Sequence, residues 1–433
     1  MMSFEDETVL MCAELIRIDT SNHGGGEGPG ERAAAERVME WLVEVGLSPV
    51  YLEGAPRRGN VIIRVPGQRR DLPALLVHGH LDVVPADPRD WQVPPFSGEV
   101  ADGWVWGRGA VDMKHMDAMM VAIVREMIRS GDRPQRDLVF AWLADEETGG
   151  DYGARFLADR HPDLFEGCAE AISEVGGYSV EIDPRLRLYL VETAQKGLAW
   201  IRLVAEGRAG HGSMLHPDNA VTELAAAVSR IGTHSWSRRL TPMTRRMLRE
   251  ICQACDVPFD EDDLDGVLTR LGPISRFVGA SLSHVANPTQ FHAGYATNVV
   301  PELAVAEIDG RYLPGLKDDF LATIDRLAGS RVSRRYIDHE EAVEAPFDTP
   351  LVTSMLSALQ VEDPEARIIP YCLSAGTDNR TFHRLGIRGY GFVPLRLPPD
   401  MDFAAMFHGV DERVPESALR FGTRVLHRLL LTY

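Results

Sequence analysis

The chain has 433 residues, 45% of them hydrophobic, which at roughly 150 residues per domain suits two or three domains with a substantial core. Its 64 acidic side chains outnumber 45 basic ones, and the formal charge of −19 argues against nucleic acid or an anionic membrane as partner. Five cysteines, an odd number scattered over a long chain, do not make a disulfide framework.

The opening segment MMSFEDETVLMCAELIRIDTSN carries acids where an export signal carries bases, and its apolar residues fall at helical spacing, so a cytoplasmic protein is expected. No apolar run approaches the ~20 residues that span a bilayer. Periodicity then predicts a helix over Glu31–Val45, strands over Asn60–Val65 and Ala74–His80, and a helix over Met116–Ser130. A strand over Asp137–Ala144, a helix over Asp151–Asp159 and a strand over Ala169–Glu174 follow. Strands alternating with helices predict an α/β fold with a doubly wound, mainly parallel sheet, whose site lies beyond the carboxyl ends of the strands. From Lys196 the texture changes: KGLAWIRLVAEGRAG alternates with period two, Ala220–Ile231 has the pattern of an amphipathic helix, and Leu303–Leu313 alternates again. These predict a small α+β sandwich, residues 196–342, inserted into a discontinuous first domain of residues 1–195 and 343–433. Cys252 and Cys255 read as ordinary helix thiols one turn apart, and the acidic DEDDLD at Asp260–Asp265 as a solvated loop.

The chemistry gathers where apolar runs stop. In LLVHGHLDVVP an aliphatic run ends with His78, His80 and Asp82 on alternate positions, which share one face of an extended chain. WGRGAVDMK delivers Asp112 from a turn whose glycines permit a tight path. LVFAWLADEETGG stops at Asp145, Glu146 and Glu147, AISEVGG stops at Glu174, and FHGVDERVP carries His408. Three adjacent carboxylates at the end of a buried strand repel one another and lose hydration, so a cation is implied. His80, Asp112, Glu147, Glu174 and His408 form a mixed nitrogen and oxygen set suited to zinc and, less tightly, to cobalt or manganese. Five ligands are too many for one catalytic zinc and fit two ions, about 3.5–4 Å apart, that share one carboxylate. His78 and His115 read as structural, and Trp91, Trp104 and Trp106 as packing residues.

HGHLDVVP, GRGAVDMK, DEETGG, GRAGHGSMLHPDNA, TNVVPELAVAEIDGRYLPG, SAGTDNR and HGVDE follow one another across nearly the whole chain. The series resembles the motifs of the dinuclear-zinc amidohydrolases and peptidases that include acetylornithine deacetylase, succinyl-diaminopimelate desuccinylase, aminoacylase, glutamate carboxypeptidase and yeast carboxypeptidase S. The resemblance implies that Asp112 bridges two Zn2+, with His80 and Glu174 completing one site and Glu147 and His408 the other. Asp82 would orient His80, and Glu146 would be the general base and acid. The insertion would be a lid and dimerisation domain of a homodimer, with His211 reaching the active site from it, in some members that of the partner subunit. Asn298, Arg311, Gly376, Thr377, Asp378 and Arg380 would contact substrate, although Ser374-Ala375 departs from the usual glycines of that last loop.

The implied reaction is attack of zinc-activated water on the amide carbonyl of an N-acyl amino acid or small peptide. Glu146 would take the proton and pass it to the leaving amine, while His211 helps hold the oxyanion. Arg311 would clamp a free substrate carboxylate; the alternative is a surface arginine paired with Asp309 or Glu307. A dipeptidase or carboxypeptidase is the alternative to a deacylase, and a non-catalytic zinc-dependent binding protein is a more distant one. A barrel amidohydrolase also opens with HxH, but its later strands end in histidines and a bridging lysine, and here they end in acids.

Overall fold

The computed structural model of the chain describes residues 2–183 and 186–433. Contacts divide it into two units, the first running to Thr193 and continuing through Ala345–Pro370 and Thr377–Tyr433, the second comprising Ala194–Glu344 and Tyr371–Gly376.

The first unit is built on β1 (Val50–Ala55), β2 (Arg58–Val65), β3 (Ala74–His80), β4 (Leu138–Leu143), β5 (Cys168–Ser173) and β6 (Leu186–Gln195). They lie in the order β1-β2-β4-β3-β5, followed by Arg388–Gly391 and β6. β3 is parallel to both β4 and β5, and Arg388–Gly391 is parallel to β5, while β1 and β2 add an antiparallel edge. Every residue of β3 and β4 is buried, as expected of strands covered on both faces, which therefore read as unbroken apolar runs. Leu76, Val139, Ala141 and Leu143 meet Leu157, Phe165 and Phe382 in one core cluster. The Lys114–Ser130 helix packs on β3 and on the Phe4–Arg17 helix; left-handed Gly131 stops the former, and Ser3 caps the latter by accepting from the Asp6 amide.

The second unit holds β7 (Gly197–Glu206), β8 (Gly210–His211), β9 (Val285–Ala293), β10 (Val299–Val300), β11 (Leu303–Tyr312) and β12 (Val332–Glu340). The sheet order is β9-β11-β7-β12, antiparallel throughout. Along β11 the alternate residues Ala304, Ala306, Ile308 and Tyr312 are buried with Leu224 of the Ala220–Gly232 helix and Phe320 and Ile324 of the Lys317–Ala328 helix. Val305, Glu307, Asp309 and Arg311 take the opposite face.

The acids of the stretch at 260–265 are exposed, as a solvated segment requires, but a helix already begins at Leu264. Glu261 pairs with Arg245, Asp265 with Arg238, and Asp263 caps the Leu264–Leu271 helix by accepting from the Gly266 amide. Cys252 and Cys255 are free thiols. Among the described residues no helix is long and apolar enough to cross a membrane.

The chain leaving β4 returns against itself so closely that a Cβ on Gly153 would sit 1.8 Å from the Ala144 carbonyl oxygen. Gly153→Ala is therefore expected to lower the unfolding free energy by about 1–3 kcal/mol, the usual cost of forced overpacking. Denaturant unfolding measures it, and an unchanged midpoint would contradict the close approach.

Candidate metal centre

Parallel pairing brings the site together. β3 ends at His80, β5 ends one residue before Glu174, and the turn after β4 carries Glu146 and Glu147. Asp112 arrives on the loop that opens the Lys114–Ser130 helix, its peptide to Met113 being cis, and His408 comes from the loop before the Arg413–Pro415 strand. His80 Nε2 lies 3.1 Å from Asp112 Oδ1 and 3.5 Å from Glu174 Oε2. His408 Nε2 lies 3.2 Å from Asp112 Oδ2 and 3.1 Å from Glu147 Oε2. The two oxygens of Asp112 thus face different histidines. Glu147 Oε1 is buried without a hydrogen-bond partner. Ligand atoms of His80, Glu146 and Glu174 fall within 4.8 Å of one another, as do those of His80, Asp112 and Glu147.

The acids are held in a strained ionisation. Burial, with Asp112 beside each, pushes Glu147 and Glu174 up to about 7. Glu146 is raised well above the carboxylate range by burial and then by Glu174, Asp378 and Glu147 around it. Burial works against a charged His80, but Glu174, Asp112 and Asp82 outweigh it and raise its pKa well above the usual value. Hydrogen bonds with Asp112 and Glu147 push His408 up to about 10. Hard carboxylate oxygens and imidazole nitrogens, packed so that the two oxygens of Asp112 face His80 and His408, fit a pair of divalent cations. His408 is 56% exposed and closes the cluster from its open side.

Asp82 is tied in differently. Its carboxylate accepts from the backbone amides of Glu146 at 3.0 Å and Glu147 at 3.1 Å, while His80 Nδ1 is nearer the Asp82 carbonyl, at 3.0 Å, than its carboxylate, at 3.5 Å. Sequence reasoning passed over Glu412, although it stands in the same HGVDE motif as His408. This fully buried carboxylate accepts from the amides of Gly109, Val111 and Asp112 and from Arg108 Nη1 at 2.8 Å, fixing the loop that presents Asp112; burial pushes it up to about 7. The only signal in the sequence was an acid next to the metal motif, which cannot tell Asp411 from Glu412.

His78 bonds Asn379 Oδ1 at 2.9 Å and packs on Phe382, a core histidine whose burial lowers its pKa to about 4. Trp104 and Trp106 lie under Arg413, and Trp91 under Arg108. Thr377, Asp378 and Arg380 are buried, and Asp378 lies against the turn after β4, 3.0 Å from where a Cβ on Gly150 would be. Gly376 is grouped with the second unit. There β8 and β10 pair His211 with Val299, the Gly212 amide donates to the Asn298 carbonyl at 2.8 Å, and exposed His211 shares a 2.8 Å hydrogen bond between Nδ1 and Ser213 Oγ. Arg311, the last residue but one of β11, shares the Glu307 and Asp309 face of the sheet, and its Nε donates to Asp309 Oδ1 at 2.7 Å.

Residues 76–432 match the family described as peptidase family M20/M25/M40. The chain is 29% identical over 371 residues to "Probable carboxypeptidase S-like 2" of Dictyostelium discoideum, covering 80% of this chain and 69% of that one. It is 26% identical over 436 residues to Aminoacylase-1 of Pongo abelii, covering 98% and 95%. Among solved structures, the M20 family metallo-carboxypeptidase Sso-CP2 from Sulfolobus solfataricus superposes with a TM-score of 0.73 at 17% identity, covering 98% of this chain and 99% of that one. The dinuclear metal binding peptidase YXEP of Bacillus subtilis gives 0.60 at 13% identity, covering 99% and 98%. At these identities the structural likeness is one of fold.

Zinc binding at neutral pH is expected to release protons, and the affinity to rise with pH, because protons held on His80 and His408 by their raised pKa values must leave. Calorimetry in two buffers of different ionisation enthalpy counts those protons. Binding without release would count against both histidines as ligands.

Proposed function

Because the chain belongs to peptidase family M20/M25/M40, we propose that it is a metal-dependent hydrolase of the amide bond in N-acyl amino acids or small peptides with a free carboxylate. The observation that carries this reading is Asp112 facing two histidines with its two oxygens while Glu146 stands beside the same cluster. His80, Asp112 and Glu174 would hold one zinc ion, and Asp112, Glu147 and His408 the other, cobalt or manganese being substitutes. When bound, the ions supply Lewis acidity and a water acidified toward neutrality. Glu146, raised by burial and by neighbouring acids, suits a residue that accepts a proton and returns it to the leaving amine. Asp82 holds Glu146 and Glu147 in register through their amides. A binding protein without catalysis would have no use for that base.

The names of the relatives, an aminoacylase and a carboxypeptidase S-like protein, support a deacylase and a peptidase alike. His211, steadied by Ser213 and adjoining Asn298, would support the oxyanion, and Gly376, Thr377, Asp378 and Arg380 would contact substrate. Arg311 would take the substrate carboxylate in place of Asp309, since a guanidinium fork suits a planar carboxylate. A homodimer joined through residues 196–342 is what the family resemblance implies.

Turnover of a panel of N-acetyl amino acids and dipeptides by zinc-loaded protein tests the reading, and a panel wholly untouched would sink it. Within that panel, Glu146→Gln should keep its metal and lose ~10²–10⁴ in rate; an active variant would refute the base. Derivatives amidated at the carboxylate should be poor substrates. Equal hydrolysis of free and amidated forms would remove the carboxylate requirement.

A further inference from the structure

We propose that Asn22 is a positioning residue for the hydrolytic turn, one amide that holds Asp82 and Asp145, at the ends of neighbouring strands, in a single arrangement. The proposal rests on the reading of Glu146 as the base.

Asn22 is buried, and the Asn22 amide donates to Val83 O at 2.9 Å, tying its loop to the segment after β3. Its side-chain Nδ2 lies 2.9 Å from Asp82 Oδ2, 2.9 Å from Asp145 Oδ1 and 3.1 Å from Thr148 Oγ1. Its Oδ1 accepts from Arg58 Nη2 at 3.0 Å and from the Gly24 amide at 3.1 Å. The amide is therefore polarised in one sense, with donors toward two acids and its acceptor toward a cation. Arg58, itself buried, also pairs with buried Glu31 and donates to the Glu27 carbonyl, so the chain of contacts ends on a neutralised pair.

What Asn22 touches is the turn and not the core. Asp82 receives the amides of Glu146 and Glu147, and Asp145, left-handed at φ 70°, receives the Tyr152 amide and the Thr148 hydroxyl. These bonds fix the backbone from which the side chains of Glu146 and Glu147 extend. Without the shared donor, two buried carboxylates face each other across a gap, and repulsion moves the turn.

Asn22→Asp separates the two halves of the residue. It is isosteric and keeps the acceptor toward Arg58 and Gly24, but sets a third carboxylate against Asp82 and Asp145. With the fastest substrate of the panel and saturating zinc, the variant should still unfold cooperatively, though at a lower midpoint, and bind zinc, lose about 10–100-fold in kcat, and hold KM within about threefold. The double variant Asn22→Asp/Asp145→Asn, which returns an amide donor to the pair, should keep about tenfold more kcat than the product of the two single losses allows. A kcat for Asn22→Asp within threefold of the parent, or losses that simply multiply, would overturn the proposal. If Asn22→Asp does not fold, Asn22→Ala decides: a lowered kcat at unchanged KM supports the role, and parental kcat or failure to fold rejects it. An active Glu146→Gln protein would remove the underlying reading, whereas an inactive one beside a fully active Asn22→Asp removes only the role of Asn22.

Discussion

The site depends on the crowding of carboxylates at the buried ends of parallel strands. An ionised carboxylate taken out of water needs donors or a cation, and this protein sorts its acids by which of these each receives. Asp82 stands beside His80 and also receives two backbone amides and an asparagine; burial opposes its ionisation, but His80 first and then these donors lower its pKa. Glu412 receives three amides and an arginine. Asp112, Glu147 and Glu174 face histidines without such amides, which leaves them open to a shared cation. Glu146 is surrounded chiefly by other acids, and a carboxyl group in that setting carries a proton most readily. Six neighbouring acids thus acquire different chemistry from their partners, not from their residue type.

The backbone bends to achieve this. Among the seven described non-glycine residues with positive φ, Asp145 precedes Glu146, Val175 follows Glu174, and His408 is itself a donor. A β-branched residue such as Val175 resists that conformation, so the surrounding structure must over-determine it. The strain sits where three strand ends or loops turn their side chains toward one point.

The parts of this arrangement that could be read from the chain are those governed by period and residue type. β3 and β4 are buried on both faces and announce themselves as apolar runs, and the residues that interrupt them, His80 and Glu147, are conspicuous for that reason. β9 was invisible because most of it is exposed and lacks an apolar rhythm. Asn22 and Glu412 were invisible for another reason: each is a polar residue in a loop, and its meaning lies with partners as much as 123 or 304 positions away. The acidic stretch at 260–265 likewise takes its partners from arginines on other segments. Arg311 was legible in principle, since it shares the period-two register of Glu307 and Asp309 and so had to share their face.

That difference explains why reaction class is clearer than substrate. Metal ligation is decided by side-chain type and by the shell immediately around it, and strand ends supply both. Recognition of a carboxylate is decided by competition. Arg311 already has an acid in Asp309, and the pair is only partly buried, a setting in which an ion pair contributes little net stability. A guanidinium held by so weak a partner is neutralised when no ligand is present and can exchange that partner for another planar carboxylate at small cost. An arginine locked into a buried bidentate pair, as Arg187 is with Asp363 at 2.6 and 2.7 Å, has no such freedom. The same residue type is therefore committed to its partner in one unit and exchangeable in the other, and the distinction lies in exposure.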